Sequence, residues 1–417
     1  MSKYRHAKGL SPMQILIIVA IVIVSLAIIG GGAFAAIQFT KDKEEPTSAP
    51  TMATTAETTA PATIDEPATE AADSDAQYTK LAKEHLKNMT IDEKIYQMLV
   101  VTPEALTGVD VATAAGDATK ASIEKYPVGG IYYSADNFED ANQTTEMIKN
   151  SQSYAKTSMF IAVSEEGGEN APVASKLSTT KVDFTFAEDG GKKTFENAST
   201  VAKDLKKFGI NTNFAPTSNT PADTKPEIVG ENVTQAMKGY KSNFVVCAPK
   251  YFPVSADSTK SAVDLEKTEF VPFVSAIKDG ADAIILSPYK ASQIEDAPAF
   301  MSKRIVTDTL TMGLQFNGVI ITPNLSDEAI TGEYDNKTLA RNSIDAGVDI
   351  LLCPSNIDEY YTAIKEAVDS GEIAKERIDN SVTKILALKY KYGILEETTA
   401  EISNTQTAET TAPTTAQ

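Results

Sequence analysis

The residues best suited to chemistry in this chain are acids in three short clusters. Glu165, Glu166 and Glu169 fall in Ser164-Glu165-Glu166-Gly167-Gly168-Glu169, Asp257 closes Lys250-Tyr251-Phe252-Pro253-Val254-Ser255-Ala256-Asp257, and Asp327 and Glu328 follow Thr322-Pro323-Asn324-Leu325-Ser326. Of two carboxyl groups about 5 to 5.5 Å apart one can attack an acetal carbon while the other protonates the departing oxygen, and in a pair about 6.5 to 9.5 Å apart the attack goes through a water that one of them activates. Each acid also has a plainer role open to it. Glu166 can bond loop backbone, Asp257 can fix its own loop, and Asp327 and Glu328 sit where a helix N-terminus favours negative charge. Lys250 directly follows an apolar run, so it is either a ligand contact or an ion-pair partner for Asp257 or Glu166. Asn219 can hydrogen-bond a hydroxyl. Tyr132, Tyr133, Tyr251, Phe252 and Tyr289 offer rings for stacking, although aromatic residues in such places more often pack.

Other chemistries find little support. The histidines are His6 and His85, neither near the acidic clusters in sequence, so no Ser-His pair suggests itself. Gly-rich phosphate loops and metal-ligand spacings are missing, so no cofactor and no metal are expected. Cys247 and Cys353 lie inside apolar runs and read as buried free thiols, open to oxidation only if the fold brings them together. A formal charge of -19 without a basic block beyond the N-terminal tail argues against nucleic acid as a partner.

Eight apolar runs must position these groups: MLVV from Met98, GGIYYS from Gly129, MFIAVS from Met159, NTNFAP from Asn211, FVVCAP from Phe244, AIILSP from Ala283, GVIITP from Gly318 and DILLCP from Asp349. Segments with helical periodicity separate them, such as Lys192 to Gly209 and Asn336 to Val348, which is the pattern of a parallel sheet. Eight strand-helix units predict an α/β fold of the (β/α)8 TIM-barrel type in a single domain, with a doubly wound open sheet as the other possibility. Thr90 with Glu93 three residues on predicts a capping box at the opening helix. In a barrel the working groups stand at the C-terminal ends of strands, where the acidic clusters fall.

The ends of the chain read differently. Ile15 to Ile37 is uncharged and long enough to cross a bilayer as a helix, and Lys3, Arg5 and Lys8 before it place the N-terminus in the cytoplasm. The expected organisation is a cytoplasmic tail (1–12), a transmembrane anchor (13–37), a disordered Thr/Ala/Pro-rich tether (38–76), the barrel (77–396) and a disordered tail (397–417). A cleaved secretion signal, with Ala33-Phe34-Ala35 as its cleavage motif, is the alternative. Both readings export the domain, and the first leaves it on a single-pass anchor at the cell membrane.

The strand-end segments resemble the glycoside hydrolase family 3 barrel, in particular bacterial β-N-acetylglucosaminidases acting on cell-wall fragments. Met89 to Leu99 is similar to the family's opening helix, Tyr126 to Ser134 to its second strand, Ala346 to Pro354 to its last strand and Arg377 to Leu395 to its closing helix. The resemblance implies the barrel. It also implies where the family's working residues should stand, and there this chain departs.

At the end of the seventh strand the family has an attacking aspartate; Pro323 occupies that position. The family's K-H-F-P-G-H-G-D keeps Lys250 and Asp257, while Tyr251 replaces one histidine and Ser255 replaces the histidine that acts as general acid/base. D-Q-E-G-G-R becomes Ser164 to Glu169, with Glu169 reversing the arginine's charge, and Asn219 matches the aspartate of F-A-P-x-x-D. No catalytic residue carries over. The expectation is a family 3-like domain outside a bacterial membrane, catalytically inactive, that binds cell-wall glycan or a protein partner through Lys250, Tyr251, Asn219, Glu166 and Asp257. Competing readings are an active β-N-acetylhexosaminidase or other glycosidase with displaced carboxylates, and a structural spacer. A filled barrel mouth would favour the spacer and an open polar cleft would favour binding.

Overall fold

The computed structural model describes residues 68–396. The expected cytoplasmic tail, transmembrane anchor and C-terminal tail, and most of the tether, lie outside that range. Among the described residues no helix is long and apolar enough to cross a membrane. The first helix, Ala68–Lys87, begins inside the stretch read as tether, so that boundary moves. Leu81 and Ala82 bury themselves in the core, and Lys391 of the closing helix pairs with Asp75 at 2.8 Å. Those contacts hold a segment whose Ala-rich, polar composition suggested no structure.

Each of the eight apolar runs forms a strand: β1 (Leu99–Val101), β2 (Gly130–Tyr132), β3 (Phe160–Val163), β4 (Thr212–Asn213), β5 (Val246–Cys247), β7 (Ala283–Leu286), β10 (Val319–Asn324) and β11 (Ile350–Leu352). Three further strands appear, β6 (Lys250–Phe252) and a small antiparallel pair, β8 (Lys290–Ala291) with β9 (Glu295–Pro298). The main sheet is parallel and nine-stranded, in the order β5-β4-β3-β2-β1-β11-β10-β7-β6. Its two end members are separated in the chain only by Ala248 and Pro249, so they are stretches of one pass. Ala248 N–H donates to Ala215 on one side at 3.0 Å, and the Pro249 carbonyl accepts from Ile285 N–H on the other at 3.0 Å. The architecture is a TIM-like barrel.

The strands read as continuous apolar runs because both faces are covered, and Leu99, Val100 and Val101 are all fully buried. Helices Lys192–Lys207 and Asn336–Ala346 form where the 3.6-residue period predicts them. The capping box is present, with Glu93 N–H donating to Thr90 Oγ1 at 3.2 Å and Thr90 N–H donating to the Glu93 carboxylate at 2.8 Å. The closing helix Lys375–Lys391 is tied to the sheet through buried Asp349, which accepts from Ile320 N–H at 3.0 Å and faces Lys384 Nζ at 3.2 Å. Cys247 and Cys353 are buried free thiols, and burial pushes the Cys247 thiol up to about 12.

Candidate functional site

The third strand delivers two adjacent glutamates to opposite surroundings. Glu165 turns inward, 2% exposed, and its carboxylate accepts from Val173 N–H at 2.7 Å and Ala174 N–H at 3.3 Å, the first turn of the short helix Pro172–Lys176. Burial outweighs those two donors and pushes its carboxyl up to about 7. Glu166 turns toward the barrel mouth. Lys250 Nζ stands 2.6 Å from its Oε1, and the Thr217 hydroxyl donates to its other oxygen. This triad joins the ends of three neighbouring passes, since Glu166 follows β3, Thr217 follows β4 and Lys250 opens β6.

Lys250 is 4% exposed, and an ammonium that deep needs the carboxylate opposite it. Its Nζ also lies 5.4 Å from the centre of the Tyr251 ring, close enough for a cation–π contact. Burial, with Glu166 adding to it, pushes the Tyr251 phenol up to about 12, so it stays a hydrogen-bond donor at neutral pH.

Above the triad lies an open cleft of about 670 Å³, lined among others by Tyr132, Glu166, Glu169, Lys250, Tyr251 and Asp327. Tyr132 stacks on Phe214, ring centres 6.0 Å apart, which fixes one wall. Asp327 caps the helix Glu328–Thr331 by accepting from Ala329 N–H at 2.9 Å. The lining also includes Asn324, the last residue of β10, whose Oδ1 accepts from Ser326 N–H at 3.0 Å and from its hydroxyl at 2.8 Å. Sequence reasoning weighed its neighbour Pro323 and passed over Asn324. The strand's alternation carried the signal: Pro323 is buried and the next side chain emerges. Among the described residues, three carboxylates, from Glu166, Glu169 and Asp327, face this cleft against the one ammonium of Lys250.

Two expected ligand contacts are elsewhere. Asn219 brackets the backbone of Tyr251, accepting from its N–H and donating to its carbonyl, each at 3.3 Å, and so positions that tyrosine without lining the cleft. Asp257 is exposed outside the lining and accepts from Lys290 N–H at 2.8 Å, which ties the loop after β6 to the β8–β9 pair. Tyr133 and Phe252 are core residues, Tyr133 donating to Ser151 at 3.0 Å and Phe252 packing on Phe270 and Phe273. Tyr289, Ser255 and Glu328 are exposed but are not part of the lining, and Pro323 is buried under it. His85 lies far from the mouth, its Nδ1 3.1 Å from the Tyr390 hydroxyl. Glu165 faces the loop it caps and not the cleft.

With this geometry in hand, comparison with known proteins places the chain. It is 26% identical over 324 residues to "Beta-hexosaminidase A" of Pseudoalteromonas piscicida, 64% of this chain and 54% of that protein. It is 29% identical over 264 residues to "Beta-hexosaminidase" of Psychromonas ingrahamii, 57% of this chain and 78% of that one. Among solved structures, the glycoside hydrolase family 3 beta-N-acetylglucosaminidase from Paenibacillus sp. superposes with a TM-score of 0.68 at 24% identity, over 75% of this chain and 65% of that one. The chain thus spans about half the length of the first of these relatives and shares the fold of the third. The pattern of the family described as "Glycosyl hydrolase family 3 N terminal domain" matches residues 90–388, from the capping box to the closing helix, and the chain belongs to that family.

Proposed function

We propose that this chain is a glycan-binding member of its family without hydrolytic turnover, held on the outer face of a membrane by its N-terminal segment. The observation that carries the reading is the end of β10, where the family resemblance puts an attacking aspartate and this chain puts Pro323, buried beneath a cleft that stays open. A proline offers no atom that can attack an anomeric carbon. An open polar mouth retains a surface for a sugar and weighs against a pure spacer. The ligand class follows from the relatives' names, a glycan of N-acetylhexosamine units, and the family resemblance adds cell-wall fragments to it. In the cleft Lys250 and Glu166 would take hydroxyls, and Tyr132 and Tyr251 would pack on a ring.

A second reading has its own support. Glu166, Glu169 and Asp327 face one cleft, so a hexosaminidase with displaced carboxylates is the alternative.

One set of measurements decides between them. The purified full chain in detergent is given a chromogenic N-acetylglucosaminide and isolated peptidoglycan, beside Lys250→Ala and Tyr251→Ala, the second leaving the buried ion pair in place. We expect no turnover above the Lys250→Ala background. We also expect saturable calorimetric binding of N-acetylglucosamine oligomers, weakened about tenfold in Tyr251→Ala by loss of the stacking surface. Turnover well above background would establish the displaced-carboxylate enzyme, and absence of both turnover and binding would remove the glycan from the account.

A further inference from the structure

One wall of the cleft is the short helix Pro172–Lys176 with the residue before it, and Ala171, Pro172 and Ser175 face the opening. So short a helix does not hold itself in water. Its start has no cap of its own either: Ala171 brings no side-chain acceptor and Pro172 has no N–H, which leaves Val173 and Ala174 as the first-turn donors. Both give their hydrogens to one carboxyl from another element, that of Glu165 at the end of β3, at 2.7 and 3.3 Å. The cleft keeps this wall through Glu165.

The charge that Glu165 carries when ionised meets no counter-charge. Among the described residues no lysine, arginine or histidine pairs with it, because the cations on the surrounding elements are committed elsewhere. On helix Lys192–Lys207, Lys207 pairs with Asp204 at 2.6 Å, and at the neighbouring strand end Lys250 pairs with Glu166 at 2.6 Å. Lys176, at the far end of the covering helix, is exposed. On helix Pro226–Lys241 the Tyr240 phenol is held protonated by burial. Asn213 of β4 is uncharged and spends its amide on the Glu165 backbone, donating to the carbonyl at 2.9 Å and accepting from the N–H at 2.8 Å. Asp204 does act on Glu165, and its charge has the same sign.

A neutral carboxyl fits this place. An ionised one is a buried charge with two N–H dipoles for company, and water is what would relieve it. To reach water, Glu165 has to release Val173 and Ala174, and the wall goes with them. The resemblance noted in the sequence puts a glutamine at this position, the second of D-Q-E-G-G-R, so the titrating group is a departure of this chain.

We infer that Glu165 is a positioning residue and a pH-operated latch on the cleft wall, holding Ala171 to Ser175 against a ligand when neutral and letting them go when ionised. The inference rests on the glycan-binding reading of the cleft and adds regulation to it. Burial, with Asp204 adding to it, raises the carboxyl to about 7 with the wall closed, so the closed wall is favoured at low pH and given up as pH rises through neutrality. A ligand that needs the wall therefore binds more weakly as pH rises, and its binding near neutral pH takes up protons.

The test is calorimetry on the full chain in detergent, beside Glu165→Gln, with an N-acetylglucosamine oligomer, which is uncharged and brings no titration of its own. The oligomer should bind the unmodified chain about fivefold to tenfold more weakly at pH 8.5 than at pH 5.5, as the fraction of closed wall falls. Glu165→Gln, neutral and of the same shape, should keep the affinity of the acid side throughout. Repeating the titration near neutral pH in buffers of different ionisation enthalpy should show uptake of a fraction of a proton by the unmodified chain, a readout that does not depend on the variant. Hydrogen exchange of the peptide spanning Ala171 to Leu177 reads the wall without a ligand. It should match between the two chains in acid and run faster in the unmodified chain above neutrality. An oligomer that binds both chains with the same pH dependence, or with none, would overturn the latch and leave the cleft reading intact. An oligomer that binds at no pH, beside the expected difference in exchange, would overturn the cleft reading and leave the latch. Neither binding nor a difference in exchange would overturn both.

Discussion

Glu165 and Glu166 are adjacent in sequence and opposite in consequence, because alternation at a strand end sends one into the protein and the other to the mouth. Glu166 is answered by a full positive charge at 2.6 Å. Glu165 is answered only by two backbone N–H groups, and burial pushes its carboxyl from the ordinary 4.5 up to about 7. A carboxyl raised in the folded state contributes stability that is fully present below the unfolded value and lost as pH rises through the folded one. Glu165 should therefore cost the fold roughly 2 to 3 kcal/mol between about pH 4.5 and 7.5. The variant Glu165→Gln lacks this proton linkage, although its amide can offer only one oxygen to the two donors. Denaturant titrations across that range should find the stability advantage of the unmodified chain over Glu165→Gln shrinking as pH rises; a constant gap would show that Glu165 does not titrate there. The sequence already named Lys250 and Glu166 as possible partners, because an ammonium and a carboxylate at neighbouring strand ends have few other options. It could not place Asn219 or Asp257, since their partners are backbone groups of Tyr251 and Lys290, and backbone carries no sequence signal.

At the scale of elements, the strands were legible because a sheet covered on both faces leaves uninterrupted apolar runs, and all eight runs became strands. Their subdivision was less so. The fifth pass splits into β5 and β6 at Pro249, a residue with no N–H to give the ladder, and β8–β9 forms from a polar stretch that no apolar pattern marks. Helix contacts were hidden as well, and one of them is instructive. Gly239, inside Pro226–Lys241, packs on Lys192–Lys207 so closely that an added Cβ would meet Ala198 Cβ at 2.7 Å, the Phe195 carbonyl at 2.7 Å and Ser199 N at 2.9 Å. Two of those three atoms are backbone, so the neighbouring helix must shift as a unit. Gly239→Ala should destabilise the protein by about 1 to 3 kcal/mol through overpacking, although alanine is the better helix former by about 1 kcal/mol. A drop in the urea midpoint with unchanged slope would report it. An increase would mean that the two helices can separate at little cost.

For the whole molecule, the charge of -19 and the match across residues 90–388 describe an acidic barrel, and the proposed anchoring by the N-terminal apolar run would decide where that barrel works. An acidic domain gains nothing from an anionic lipid surface, so electrostatics cannot keep it at a membrane. If it stays there, the segment Ile15 to Ile37 must hold it through burial of apolar side chains, an attachment that neither salt nor alkali disrupts. The full chain expressed in a bacterial host should therefore remain in the membrane pellet after alkaline carbonate and high salt, and protease added outside should reach the barrel. N-terminal sequencing of the recovered protein separates the two export routes. An intact N-terminus is expected of an anchor, whereas a chain beginning at Ala36 would identify a cleaved signal after Ala33-Phe34-Ala35. In that case the acidic barrel would be released, and glycan capture by the cleft would operate in free solution instead of at the surface.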